Sequence, residues 1–348
     1  MKKLKILILV LMCFLCFGCY DNKELNEIAI VTMMLVKYED NNYTTYVELL
    51  NPKKEAEKSS FFIKGTGKTM EESISNAEEN TYLNFDFSHM YTFIYNKEII
   101  NNHLNEISDY VIRNNQIRKD LNTYTSEDID AFLEFKPEND SSVGESLWFI
   151  DKNQEKVGSL FYTSDFREIL HSRLNKDVFY IGEINIKDES ISFDNVYACF
   201  DNKAVMTIDK KALLLHSILN KKVKNFKFKD DASYNAYKYK VKTNAKKNEI
   251  NININVNLRI VNVYNNKITS YKDIKDLEKN ASNYLEKIFL DSISYSKEIG
   301  YDLYDLNGIY YEYYPKEKTD DSFKKIKVNI NVNADINEKG LTLKGGET

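Results

Sequence analysis

Ile250-Asn251-Ile252-Asn253-Ile254-Asn255-Val256-Asn257-Leu258-Arg259-Ile260 alternates an aliphatic residue with a polar one along its whole length. Successive side chains on a strand point to opposite faces of its sheet, so this stretch predicts a strand with one face buried and the other wet. Ile326-Lys327-Val328-Asn329-Ile330-Asn331-Val332-Asn333-Ala334-Asp335-Ile336 has the same period and largely the same polar residue. Matching period and chemistry place the two strands in one sheet, and a wet face predicts that they run antiparallel. Between them, residues 272–299 carry Ile274, Leu277, Ala281, Leu285, Ile288 and Tyr295 at helical spacing. The C-terminal third therefore reads as an antiparallel sheet packed on a long helix.

Working outward, residues 28–38 and 43–50 read as strands joined by the polar turn Glu39-Asp40-Asn41-Asn42, and 52–60 as a loop. Thr69 and Glu72 fit a capping box that opens a helix through Met70, Ile74, Ala77 and Thr81. A strand over 89–95 follows, then a helix striped by Ile100, Leu104, Ile107 and Val111. A short helix holds Ile129, Phe132 and Leu133, and Ser164 caps another through Phe166, Ile169, Leu170 and Leu174. Strands are predicted over 178–186, 191–200 and 203–208, then a helix with Leu213, Leu214 and Ile218. No repeat of fixed period appears. The class is α+β and multi-domain, with mixed or antiparallel sheets each backed by helices. The expected divisions are a leader over 1–18, an N-terminal domain over 19–190, a middle segment over 191–225 that could belong to a small separate lobe, and a C-terminal domain over 226–348.

The leader is legible by itself. Lys2, Lys3 and Lys5 form a charged start, and Ile6 to Phe17 a nearly unbroken apolar run. Twelve helical residues span only about 18 Å, too short for a hydrocarbon core of about 30 Å, so the run reads as a signal peptide. It ends in Cys16-Phe17-Gly18-Cys19, where Gly18 and Cys19 fit a lipobox and Cys16 and Phe17 are atypical. Cys19 is thus the expected lipidation site, its acyl chains each contributing ~0.8 kcal/mol per buried methylene to membrane anchoring. Cys13 and Cys16 leave with the leader and Cys199 stands alone, so neither an internal disulfide nor a cysteine metal site is expected. Loss of the three leader lysines takes the formal charge from −5 to −8. An acidic body argues against nucleic acid, and nothing in the sequence suggests polybasic docking on anionic lipid. With 25 Tyr and 19 Phe the chain has ample material for cores.

Motifs of chemistry fail on inspection. Gly65-Thr66-Gly67-Lys68-Thr69 ends like a phosphate-binding loop, but that loop needs a glycine at position 62, where Phe62 stands. Gly65, Gly67 and Thr69 read instead as a tight glycine turn into a capped helix. His89, His103, His171 and His216 lie in separate elements, with no partner at metal-ligand spacing. Trp148 and Phe149 read as core, and Cys199 as a buried thiol. No cofactor, metal or catalytic residue is expected.

Several spaced segments together resemble the Ger(x)C family, the lipoprotein C subunits of spore germinant receptors. Cys19-Tyr20-Asp21-Asn22-Lys23-Glu24-Leu25 is similar to the family's start, with Tyr20 in place of its usual Trp and Asn22 in place of a basic residue. Asn51-Pro52, the Gly65-to-Thr69 segment, Phe87-Ser88-His89-Met90 before its strand, Gly300 to Leu306, Tyr314-Pro315 and the last alternating strand continue the likeness. The resemblance implies a non-catalytic subunit on the outer face of the spore inner membrane, lipidated at Cys19. Its implied partners are an A-type and a B-type multi-spanning receptor subunit. A second reading is a solute-binding lipoprotein of a transporter, which would need parallel sheets in a two-lobed cleft; an exported hydrolase is a third.

Overall fold

The structure, a computed structural model, describes residues 28–51, 59–138, 141–157, 162, 164–201, 203–264, 270–317 and 322–338. The leader, Cys19 and Pro52 lie outside them. Ten strands form the first sheet: β1 (Ile28–Glu39), β2 (Asn42–Leu50), β3 (Ser60–Gly67), β4 (Asn84–Asp86), β5 (Thr92–Tyr95), β6 (Asn122–Thr125), β7 (Ser164–Asp165), β8 (Phe179–Lys187), β9 (Ser190–Phe200) and β10 (Lys203–Thr207). Their order is β10-β9-β8-β6-β5-β1-β2-β3, with β4 on β1 and β7 on β6. The second sheet is β11 (Phe226–Lys229), β12 (Ala232–Lys246), β13 (Glu249–Val263) and β14 (Lys327–Glu338), in that order. The longer helices are α1 (Met70–Glu79), α2 (Leu104–Arg113), α3 (Val143–Val157), α4 (Phe166–Asn175), α5 (Lys210–Leu219), α6 (Tyr271–Ile299) and α7 (Leu306–Tyr313).

Helices cover both faces of the first sheet, which is why Val31 to Val36 in β1 are all buried. A bulge between Val31 and Met33 exchanges the faces. Val31, Met34 and Val36 join the core beneath α1, α2 and α4, while Met33 and Leu35 join the core beneath α3. Strands β9 and β10, from the expected middle segment, extend this sheet, and the helix of that segment, α5, packs in the core of the second.

In the second sheet Ile250, Ile252, Ile254, Val256 and Leu258 share a core with Ile274, Leu277, Ala281, Leu285, Ile288 and Phe289 of α6. Tyr295 is exposed, and Ile293 packs inward at that end of the helix. β13 and β14 are neighbours, but they run parallel, with Glu249 opposite Lys327 and Leu258 opposite Ile336. The antiparallel expectation is corrected for a topological reason. α6 carries the chain back along the sheet to the end where β13 began, so β14 re-enters there and runs the same way. A wet face is therefore no argument against parallel pairing in this chain. β14 lies at the sheet edge, and two of its outward N–H groups are satisfied from α6: Ala334 donates to Ser282 Oγ at 3.0 Å and Ile336 to Glu278 Oε1 at 3.0 Å.

Other departures from the sequence reading have local causes. Gly65 and Gly67 lie on strand β3, not in a turn, because α1 rests directly on that strand. Asp165, not Ser164, caps α4, its carboxylate accepting from Glu168 N at 2.8 Å, while the Ser164 hydroxyl donates to the Tyr180 carbonyl. Helix α3 and the lysine-bearing strand β12 carry weak periodicity and are visible only in the structure. Trp148 is half-buried against Tyr91, at 5.7 Å between ring centroids, but Phe149 is 49% exposed and so is not core.

A Cβ on Gly65 would stand 2.0 Å from the Ser73 carbonyl oxygen and 2.4 Å from Ala77 N, both backbone atoms that cannot rotate away. Gly65→Ala is expected to destabilise the protein by about 2 kcal/mol or more, read as a lowered midpoint in urea. An unchanged midpoint would show that α1 is not seated on β3 as described.

Candidate functional site

Three constellations stand out, and the residues singled out by sequence belong to the first. Thr69 Oγ1 accepts from Glu72 N at 3.1 Å, and the Glu72 carboxylate accepts in turn from Lys68 N at 2.6 Å. Asn76 and Asn80 donate from α1 to the Thr66 and Lys64 carbonyls of β3, at 2.7 and 3.0 Å. Two of the N–H groups at this helix start, those of Lys68 and Glu72, are thus already engaged within the chain. Gly65, Gly67 and Thr69 fasten a helix to an edge strand. Cys19 lies outside the described residues.

The second constellation centres on Glu48, fully buried in β2. Its carboxylate accepts from Thr32 Oγ1 (2.7 Å), Ser60 Oγ (2.7 Å), Val143 N (2.7 Å) and Gly144 N (2.9 Å). A negative side chain thereby sits at the N-terminus of α3 and joins it to β1, β2 and β3. Its one sequence signal is a lone acid within the apolar run Tyr46 to Leu50. Beside it opens a cavity of about 440 Å³, walled by Tyr46, Phe62, Leu133 and Phe135, with Lys64 and Lys136 also in its lining. Among the described residues neither lysine pairs with a carboxylate; Lys64 lies over the Tyr46 ring, 5.7 Å from its centroid. Lys37 approaches the same ring at 5.9 Å and is bound to Asp130 at 2.7 Å. Aromatic walls with two ammonium groups suit a small ligand with an apolar body and a negative end.

The third is a joint between the two sheets. The Leu303 carbonyl accepts from Tyr180 Oη of β8 at 2.5 Å and from His216 Nδ1 of α5 at 3.2 Å, while His216 Nε2 lies 3.2 Å from Tyr162 Oη. A carbonyl can only accept, so Nδ1 carries the ring proton and Nε2 accepts from the tyrosine. Burial lowers the His216 pKa to about 4, against the pull of the Leu303 hydrogen bond, with Lys222 lowering it further. The turn that presents Leu303 is held by Asp302, whose carboxylate accepts from Leu306 N and Asn307 N, both at 2.8 Å.

Cys199 is buried, and burial pushes its thiol well above the ordinary range, so it is no nucleophile. Among the described residues no group of three or more His, Cys, Asp or Glu could hold a metal ion, and no helix is long and apolar enough to cross a membrane.

Two predictions follow from the buried groups. Glu48→Ala strands four donors in the interior, so a loss of about 3 kcal/mol is expected in chemical unfolding; a loss under about 1 would refute the seat described. His216 binds its proton more weakly folded than unfolded, so its contribution to stability is complete above its ordinary value near 6.5 and is lost as pH falls towards 4. Against His216→Gln as reference, the native chain should lose up to about 3 kcal/mol more between those limits. Parallel melting curves of the two across that range would contradict it.

A family model described as the spore germination protein N-terminal domain matches residues 21–186, and one described as the spore germination B3/GerAC-like C-terminal domain matches residues 195–340. No match was found among curated proteins. Among solved structures the chain is similar to the crystal structure of the GerBC protein, at 12% identity and a TM-score of 0.55, over 87% of this chain and 96% of that one. At that identity the likeness speaks for the fold.

Proposed function

The chain belongs to the GerAC family of spore germination proteins, and from that premise we propose that it is the lipid-anchored, non-catalytic C subunit of a nutrient germinant receptor. The observation that carries this reading is the pair of family models, in order and covering nearly all of the chain after the leader. The signal peptide over 1–18 and Cys19 supply the attachment, and the GerBC-like fold supports the same assignment. Its place is the outer face of the spore inner membrane, beside an A-type and a B-type multi-spanning subunit. Physically, a tether turns the search for such partners from three dimensions into two and raises their effective concentration, as a linker does.

Cys19→Ala, introduced at the native locus, tests attachment and role together. The variant is expected to fold but to leave the membrane fraction, and its spores to respond poorly to one class of nutrient while still germinating with non-nutrient triggers. Retention in membranes washed at high salt would refute the anchor. A normal nutrient response from spores deleted for the chain, in a strain without a second copy, would refute the receptor role.

A further inference from the structure

The wet face of the second sheet is a flat, basic grid. Lys238, Lys240 and Lys242 are exposed on one side of β12, at alternate positions and so about 6.8 Å apart. Each stands opposite an asparagine of β13, and each of those asparagines opposite a residue of β14. The rows read Lys242-Asn253-Asn331, Lys240-Asn255-Asn333 and Lys238-Asn257-Asp335. On β11, Lys227 and Lys229 are exposed on the same face, since Phe226 and Phe228 point into the core. None of these five lysines has a carboxylate partner among the described residues. Asp335 lies in the Lys238 row, next to the row in which Asn235 stands between Lys227 and Arg259, and Glu249 lies beyond the Lys242 row, so the Lys240 and Lys242 rows are the stretch that is wholly basic or neutral.

At the end of the sheet near Lys229 the polarity changes. Val261 is 63% exposed and Tyr264 47%, and the Tyr264 hydroxyl is hydrogen-bonded to Ser233, which pairs with Lys229. A plane of lysines with an apolar and tyrosine fringe fits the boundary between water and lipid, where tyrosine rings settle among headgroups.

We propose that this face of the second sheet rests on an anionic bilayer surface, its lysines against lipid phosphates and its asparagine amides hydrogen-bonding to headgroup oxygens. Charge complementarity names an anionic partner, and composition selects lipid over protein. Protein interfaces are depleted in lysine and built around buried aromatic or arginine anchors, whereas five of the six cations named on this face are lysines and its one arginine, Arg259 over the Tyr237 ring, is exposed. The acidity of the whole chain does not oppose the contact, because carboxylates further than a Debye length of about 10 Å are screened while the lysines touch the surface. The inference deepens the membrane-attached reading above and fixes which side of the body faces the bilayer.

The experiment uses the mature chain from residue 20 onward, without an acyl group, sedimented with phosphatidylcholine vesicles that contain or lack phosphatidylglycerol. Binding only to the anionic vesicles, released by high salt, is expected. K238E/K240E/K242E should weaken it at least about tenfold, and K272E/K279E/K287E on α6, an equal change of charge on the far side, should not. No binding to anionic vesicles, or equal loss in both triple variants, would overturn the proposal. Retention on immobilised polyglutamate without vesicle binding would overturn it in favour of an acidic polypeptide. Because the acyl group is absent, a negative result leaves the Cys19 anchor standing, and failure of the anchor leaves the vesicle result standing.

Discussion

The carbonyl oxygen of Leu303 accepts from Tyr180 and from His216, and through it the turn that follows the longest helix is fixed to the first sheet. The two sheets have their own helices, but they are not separately cored where they meet. Tyr180, Val196 and Ala198 of β8 and β9 belong to the same apolar cluster as Ile252, Leu285 and Tyr310. A shared core positions the sheets only loosely, since dispersion and burial are non-directional. Direction comes from the hydrogen bonds at Leu303, and it is the other ring nitrogen, Nε2 accepting from Tyr162, that requires His216 to be neutral. Its lowered affinity for a proton comes from burial, which outweighs the opposing pull of the Leu303 bond.

What could be read from the sequence depended on how strongly periodicity is imposed. Where one face is buried and one is wet, as in Ile250 to Ile260, alternation is strict and the strand is evident. Helix α6 announced itself by its apolar stripe, and its Ser270–Asp273 capping box and Gly300 terminator agree with that reading. Strand direction was not legible, because alternation is the same in both directions and topology decides between them. Strand β3 was hidden for another reason. Its two glycines, which look like loop residues, are there so that α1 can approach the strand backbone. Sequence proximity revealed the Thr69 cap, but the Glu48 seat joins residues 32, 48, 60, 143 and 144, and no local pattern can show that.

The functional features divide in the same way. The proposed lipidation signal is a linear address, read within residues 2–19. The cavity beside Glu48 and the basic face of the second sheet are assembled from distant segments. Linear reading suggests no polybasic docking on anionic lipid, yet pleating gathers lysines from alternate positions of β12 with those of β11 onto one surface. Binary patterning puts isoleucine inside and leaves the outward positions free for such a use.

The parallel pairing of β13 with β14 also governs how the molecule is made. These strands meet only after α6 and α7 have intervened, so closing the sheet is a non-local event with a high contact order and a correspondingly slow rate. Until then an isoleucine–asparagine strand of high β-propensity and low charge lies open at its edge, the kind of segment that stacks with its own kind. A polypeptide delivered unfolded across a membrane meets that hazard in every copy. Kinetic competition between intramolecular closure and self-association, more than equilibrium stability, would then set the yield of folded protein.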